Sequence, residues 1–238
     1  MEKVVCALWR GDGEAREAFN RRLLSGLPAA LREAGARNLR INLRDGEVDA
    51  AAGLIQRWQA AQQDAVVQYW LPSANARFRS AADAAVASHA DRYAAWLVSE
   101  STIIANTAHP PSPGARTWGW SQASFISFRR DIGRAAAVAH WHGHHTGVAI
   151  ATQSNFEYVQ NIVVAALTQQ APAYDAFVEE CFPAAAMTDP AAFFDAPGDE
   201  ARLAANLQAM NESCAGFIDF SRIDIIPTSQ FDFAGAAP

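Results

Sequence analysis

Apolar positions along this chain recur in two rhythms, every second residue and every third or fourth, and their alternation predicts the elements. Lys3 to Trp9, rich in Val and aromatics, reads as a strand. From Glu14 to Ala34, Phe19, Leu23, Leu27 and Leu31 stand four apart on one face of a helix, with Gly26-Leu27-Pro28 as a point of interruption. Asn38 to Leu43 alternates polar and apolar as a half-buried strand does, and Ala65 to Leu71 is a third strand. An Ala-rich helix from Ala74 to Ala90 and a strand from Ala95 to Ile104 follow. The second half repeats the order: strand Ser124 to Phe128, helix Ile132 to Ile150, strands Asn155 to Ala166 and Ala173 to Phe182, helix Glu200 to Glu212, strand Ser221 to Ile226. Between the halves, His109 to Arg116 holds three prolines and a glycine and reads as a linker.

The two halves also match residue by residue. Val4 to Asp12 lies over Ala123 to Asp131 at an offset of 119, bringing Trp9 onto Phe128, Arg10 onto Arg129 and Asp12 onto Asp131. Asp64 to Pro72 (DAVVQYWLP) lies over Asp175 to Pro183 (DAFVEECFP) at an offset of 111, with Gln68 facing Glu179. The expected fold is α+β: two tandem ferredoxin-like βαββαβ repeats, residues 1–108 and 119–238 around a linker at 109–118. Each unit makes a four-stranded antiparallel sheet with helices on one face. Strands apolar on both faces favour the two sheets closing into one fused barrel with helices outside, over two separate domains.

Composition narrows the partners. Half of the 238 residues are hydrophobic and 18% are charged, the balance of a soluble globular protein. A net charge of −6 with scattered basic residues argues against nucleic acid. No window approaches a membrane span, and the N-terminal apolar stretch is too short for a signal peptide. Cys6, Cys181 and Cys214 are odd in number and lack CxxC spacing, which fits a reducing cytoplasm better than a disulfide framework or structural zinc.

Candidate chemistry gathers in the second half. His140-Trp141-His142-Gly143-His144-His145 holds four of the six histidines. On a helix, Ala137, Trp141, His145 and Val148 form the sheet-facing stripe, so His145 points inward as a candidate general acid or base. A packed polar residue is the competing reading, and His140 with His144 supplies only two of the three ligands a catalytic metal usually takes. Period two groups Asp175, Phe177, Glu179 and Cys181 on one strand face, where burial would raise the pKa of Glu179 and suit it to proton transfer. Tyr158, on a face with Phe156 and Gln160, offers a phenolic donor. Arg10 and Arg129 suggest a repeated turn or ion pair. Ser124 and Ser127 lack a glycine elbow, and no glycine-rich phosphate loop appears.

Trp141-x-x-x-His145 after Arg129-Arg130-Asp131, and Asp175-Ala176-Phe177-Val178-Glu179-Glu180-Cys181-Phe182 with Ala176 in place of the usual Gly, resemble the EthD family of dimeric α/β-barrel proteins. The resemblance covers most of the second half. In the first half, either Arg22 and Gly26 or Leu23 and Leu27 stand opposite Trp141 and His145, so that site reads as degenerate. The resemblance implies a lyase or isomerase (dehydratase, cyclase or decarboxylase) without organic cofactor or metal, acting on a small aromatic or polyketide-like substrate. His145 would transfer the proton, Glu179 or Tyr158 would polarise a substrate oxygen, and Trp141, Phe125, Phe156, Phe177 and His142 would contact the substrate. A non-catalytic binder, a cofactor-free monooxygenase and a haem protein are the alternatives it leaves open, as either monomer or homodimer.

Overall fold

The computed structural model describes residues 1–59 and 61–233. The first half contains β1 (Glu2–Trp9), α1 (Arg16–Glu33), β2 (Arg37–Leu43), β3 (Ala65–Leu71), α2 (Ala76–Ala87) and β4 (Arg92–Ile104). The second contains β5 (Trp120–Phe128), α3 (Arg134–His140), α4 (Thr146–Thr152), β6 (Glu157–Ala166), β7 (Ala176–Phe182), the short α5 (Pro190–Phe193), α6 (Glu200–Ala215) and β8 (Ile218–Asp232). Eight strands close into an antiparallel barrel in the order β1-β3-β2-β8-β5-β7-β6-β4. The halves meet through two seams, β2 on β8 and β4 on β6. Strand order within the first half is β4-β1-β3-β2, and within the second β8-β5-β7-β6.

The α1 helix runs through Pro28, where an interruption was expected. A proline inside a helix costs about 3 kcal/mol. Phe19, Leu23, Leu27 and Leu31 are all fully buried on the outer face of the first sheet, and each such side chain contributes about 1.5–3 kcal/mol, so packing wins. On the other side of that sheet, Val5, Ala7 and Trp9 pack inside the barrel with Phe125 and Phe177. One end of the lumen is plugged around Asp224, whose carboxylate accepts from Trp58 N (3.1 Å), Gln62 Nε2 (3.0 Å) and Tyr174 Oη (2.5 Å).

Backbone bonds correct the register between the halves. Asp64 N donates to Leu8 O and Asp175 N to Ile126 O, both at 2.9 Å. The two carboxylates accept from Arg10 N and Phe128 N respectively. Arg10 therefore corresponds to Phe128, and Leu8 to Ile126, at a spacing of 118 rather than 119. The look-alike Arg-x-Asp turns slip the comparison by one residue, which in a strand exchanges inner and outer faces. Arg10 and Arg129 accordingly have different partners: Asp64 for the first, Asp131 for the second.

Candidate active site

The helix that starts at Arg134 widens into a single π turn over Trp141–His145 before resuming as α4. Thr146 bonds back to the Trp141 carbonyl through its amide and, at 2.9 Å, its hydroxyl. Such wide turns are frequent at functional sites. The buried stripe is Ala137, Trp141, His145 and Ala149, with Ala149 taking the place expected of Val148. Trp141 stacks against Phe217 at a centroid distance of 5.8 Å, and the His145 ring lies 4.9 Å from the same phenyl.

Beneath this turn lies a cavity of about 670 Å³, within the range of small-molecule sites. Its floor is the outer face of the second sheet. The floor presents Ile223 and Ile225 from β8, Gln122, Ser124 and Ile126 from β5, Val178 and Glu180 from β7, and Tyr158 from β6. Trp141 and His145 form part of the roof, with Met210 and Cys214 of α6 and Phe193 of α5. A 3-10 helix from the first half, Gly46–Leu54, closes one side, held by backbone bonds between Gln56 and Ile225.

Strand pairing sets the polar groups in a row. Gln122 on β5 and Tyr158 on β6 each stand directly opposite Glu180 on β7. Glu180 is 8% exposed; burial pushes its carboxyl up from 4.5 to about 7, against the bond it accepts from Asn155 Nδ2 at 2.9 Å. Tyr158 Oη accepts from Gln160 Nε2 (2.7 Å) and Trp141 Nε1 (3.2 Å). The Thr146 side chain also lies within hydrogen-bond reach of that phenol, whose hydrogen is therefore shared between Thr146 and whatever enters the cavity. Burial and the neighbouring Glu180 hold that phenol well above its ordinary pKa, so it stays protonated. His145 Nδ1 lies 3.0 Å from Ser213 Oγ; burial, with His140 and His144 adding, pulls the imidazole down from 6.5 to about 4. The ring is neutral at physiological pH.

The eight residues marked from sequence divide accordingly. His145, Trp141 and Tyr158 line this cavity. Glu179, Phe125 and Phe177 do not; they point into the barrel lumen, through the other face of their strands. Phe156 packs on Trp118 and His109 at the end of the linker, and His142 is exposed on the helix. The expected rise in the Glu179 pKa is reversed. Burial pushes it up, but the Arg40 guanidinium (3.0 Å) and bonds from Gln230, Asn42 and Gln68 outweigh that and hold it below its ordinary value. Glu180, one residue on, is the group sequence reading passed over. The signal was the Glu-Glu pair itself, since adjacent strand residues face opposite ways and only one of the two meets the helices.

Metal and haem fare differently from His145. His140 Nε2 lies 2.9 Å from the Ser213 carbonyl, and among the described residues no three His, Cys, Asp or Glu side chains converge as a metal cluster. Haem would find His145 as a ligand, but the described cavity wall offers no Lys or Arg for its two carboxylates and adds a carboxyl of its own. These residues do not fit haem.

The fold is thus an α/β barrel with a helix-covered cavity in the second half. Residues 129–221, from the end of β5 into β8, match the family model of the EthD domain. In structure the chain is similar to a protein described as an anthrone oxidase-like protein, with a TM-score of 0.56 at 7% identity, covering 99% of this chain and 97% of that one. A second similar structure is described as a "putative monooxygenase from Lactobacillus acidophilus NCFM", with a TM-score of 0.48 at 9% identity over 98% and 96%. At such identities the likeness concerns the fold. No curated protein matches the sequence. Among the described residues no helix is long and apolar enough to cross a membrane.

Proposed function

We propose that this chain is a small-molecule enzyme of the lyase or isomerase type, moving a proton on an aromatic or polyketide-like substrate without an organic cofactor. The observation that carries the reading is Glu180: a carboxyl near pH 7 on the floor of an apolar cavity, beside a phenol with a hydrogen to donate. Ionised Glu180 takes a proton from carbon next to a substrate carbonyl. The C–H electron pair moves onto the carbonyl oxygen, which accepts the Tyr158 hydrogen bond. Glu180 then returns the proton to another carbon, giving an isomer, or to a departing hydroxyl, giving water and an alkene. Neutral His145 lines the same space, and its Nε2 has no partner among the described residues. On a hydroxy ketone it takes the proton of the substrate hydroxyl and delivers it to the enolate oxygen, so that hydroxyl and carbonyl exchange places as Glu180 returns its proton to the former carbonyl carbon. Matching of residues 129–221 to the EthD domain supports a site in this half.

A screen of aromatic ketones and hydroxy acids tests the reading, with pH–rate profiles on any substrate found. Activity is expected to rise with pH through about 7, as Glu180 ionises. Glu180→Gln is expected to cost about 10²–10⁴ in kcat and remove that limb; a variant that keeps the limb sinks the assignment. Stability supplies an independent check. A carboxyl raised from 4.5 to about 7 by folding gives stability that is present below 4.5 and lost as pH rises to 7. Glutamine does not titrate, so Glu180→Gln should match the native protein at pH 4 and exceed it by about 3 kcal/mol at pH 8.

The tandem-repeat reading belongs with this one: residues 1–108 and 119–238 are copies, joined by 109–118, and only the second kept a site. The shared strand order supports it, as do the paired Asp64 and Asp175 bonds. At the spacing of 118, Leu23 and Leu27 stand where Trp141 and His145 do, and all four are buried against the sheet.

A further inference from the structure

The first half shows what fills the corresponding space when no cavity is kept. On β1 and β3, Cys6 pairs with Val67, and Tyr69 is the diagonal neighbour. There the fully buried Tyr69 phenol meets Cys6, Oη to Sγ at 3.6 Å. The same spacings place Ser124 at the Cys6 position and Glu180 at the Tyr69 position, with Ser124 pairing Val178. Glutamate is smaller than tyrosine and lacks the aromatic ring, and in this half a cavity opens over that part of the sheet. Ser124 is 5% exposed, lines that cavity, and its hydroxyl has no hydrogen-bond partner. A buried hydroxyl left unbonded costs free energy, and one that faces a cavity is open to a partner that enters it.

We infer that Ser124 is a specificity-determining residue: its hydroxyl binds a ring hydroxyl of the substrate, whose phenolic ring occupies the volume that Tyr69 fills in the first half. This rests on the proposed function and goes a step beyond it, since it names the substrate group and the residue that reads it. Diagonal strand neighbours stand about 7–8 Å apart. With its hydroxyl at Ser124, as the Tyr69 hydroxyl is at Cys6, the ring lies on the Glu180 side of that serine, over the floor between Gln122 and Val178. The cavity's apolar walls accept the ring, and the hydroxyl satisfies the orphaned serine.

The test compares 2-naphthol with 2-methylnaphthalene, of nearly equal shape, by isothermal titration calorimetry on the native protein and on Ser124→Ala. The native protein is expected to prefer the naphthol by tenfold or more, and Ser124→Ala to bring that preference to threefold or less with hydrocarbon affinity unchanged. Thermal unfolding without ligand is expected to show Ser124→Ala at or above the native Tm, because the substitution removes an unbonded buried hydroxyl. Equal preference in both proteins overturns the role of Ser124 and leaves the cavity reading standing. Failure of both compounds to bind overturns both. A lower Tm for empty Ser124→Ala means the hydroxyl has a structural partner, and overturns the inference.

Discussion

Replacing Arg40 with methionine is expected to lower the unfolding free energy by about 3–5 kcal/mol at neutral pH, the largest stability loss anticipated for any single polar side chain here. The guanidinium reaches Glu179 at 3.0 Å, Glu157 at 2.8 Å and Asp232 at 2.7 Å inside the barrel. Glu179 is fully buried and survives as a carboxylate because Arg40 and three amide donors hold it there. Methionine of similar length keeps the packing but strands that charge. The native pair obeys a definite sign: Glu179 lies below its unfolded value, so its contribution is present above pH 4.5 and lost as pH falls toward 2. In Arg40→Met the same carboxyl, buried without its cation, titrates above 4.5. The deficit should then be smaller at pH 5 than at pH 8, as the stranded group takes up a proton. Urea unfolding at the two pH values measures this, and Arg40→Met/Glu179→Gln should recover part of the loss. A deficit below about 1 kcal/mol, equal at both pH values, would mean the lumen tolerates the unpaired carboxylate.

That network was invisible in the sequence for an identifiable reason. The β7 run Phe177-Val178-Glu179-Glu180-Cys181-Phe182 is buried on both faces, so period two groups its residues without saying which group meets the helices. Alternation sorted Glu179 with Phe177 correctly; the lumen, not the helix side, proved to be their surroundings. Strands and long helices were legible because their apolar periods are set by their own packing, as in β3, found at its true bounds. His145 pointing inward was legible too, from the four-residue spacing to Trp141. Missing were the two 3-10 turns Gly46–Leu54 and Ala184–Met187, whose Ala-rich runs carry no period, yet these close the cavity. The pKa values of Glu180 and His145 were out of reach for the same reason: what desolvates them comes from distant segments.

His145→Ala separates the remaining roles most sharply. It is expected to lower kcat by about 10²–10⁴ while leaving substrate affinity within about tenfold. A loss confined to one hydrogen bond would be about tenfold or less, so the size of the effect decides whether a proton passes through Nε2 or the ring only orients substrate. Packing must be held constant for that inference, because the imidazole lies on Phe217 and takes a bond with Ser213. His145→Phe fills the space without a ring nitrogen and should lose as much turnover as the alanine variant. The pH profile gives the second readout. His145, pulled down to about 4 by burial and by His140 and His144, works only when neutral, so it adds a limb below pH 4 to the Glu180 limb near 7. The rate should fall tenfold per pH unit below 7 and a hundredfold per unit below 4. In His145→Ala the steeper portion should vanish and the limb near 7 remain. Equal losses of binding and turnover, with both limbs intact, would instead mean that His145 only holds the substrate and that no proton passes through it.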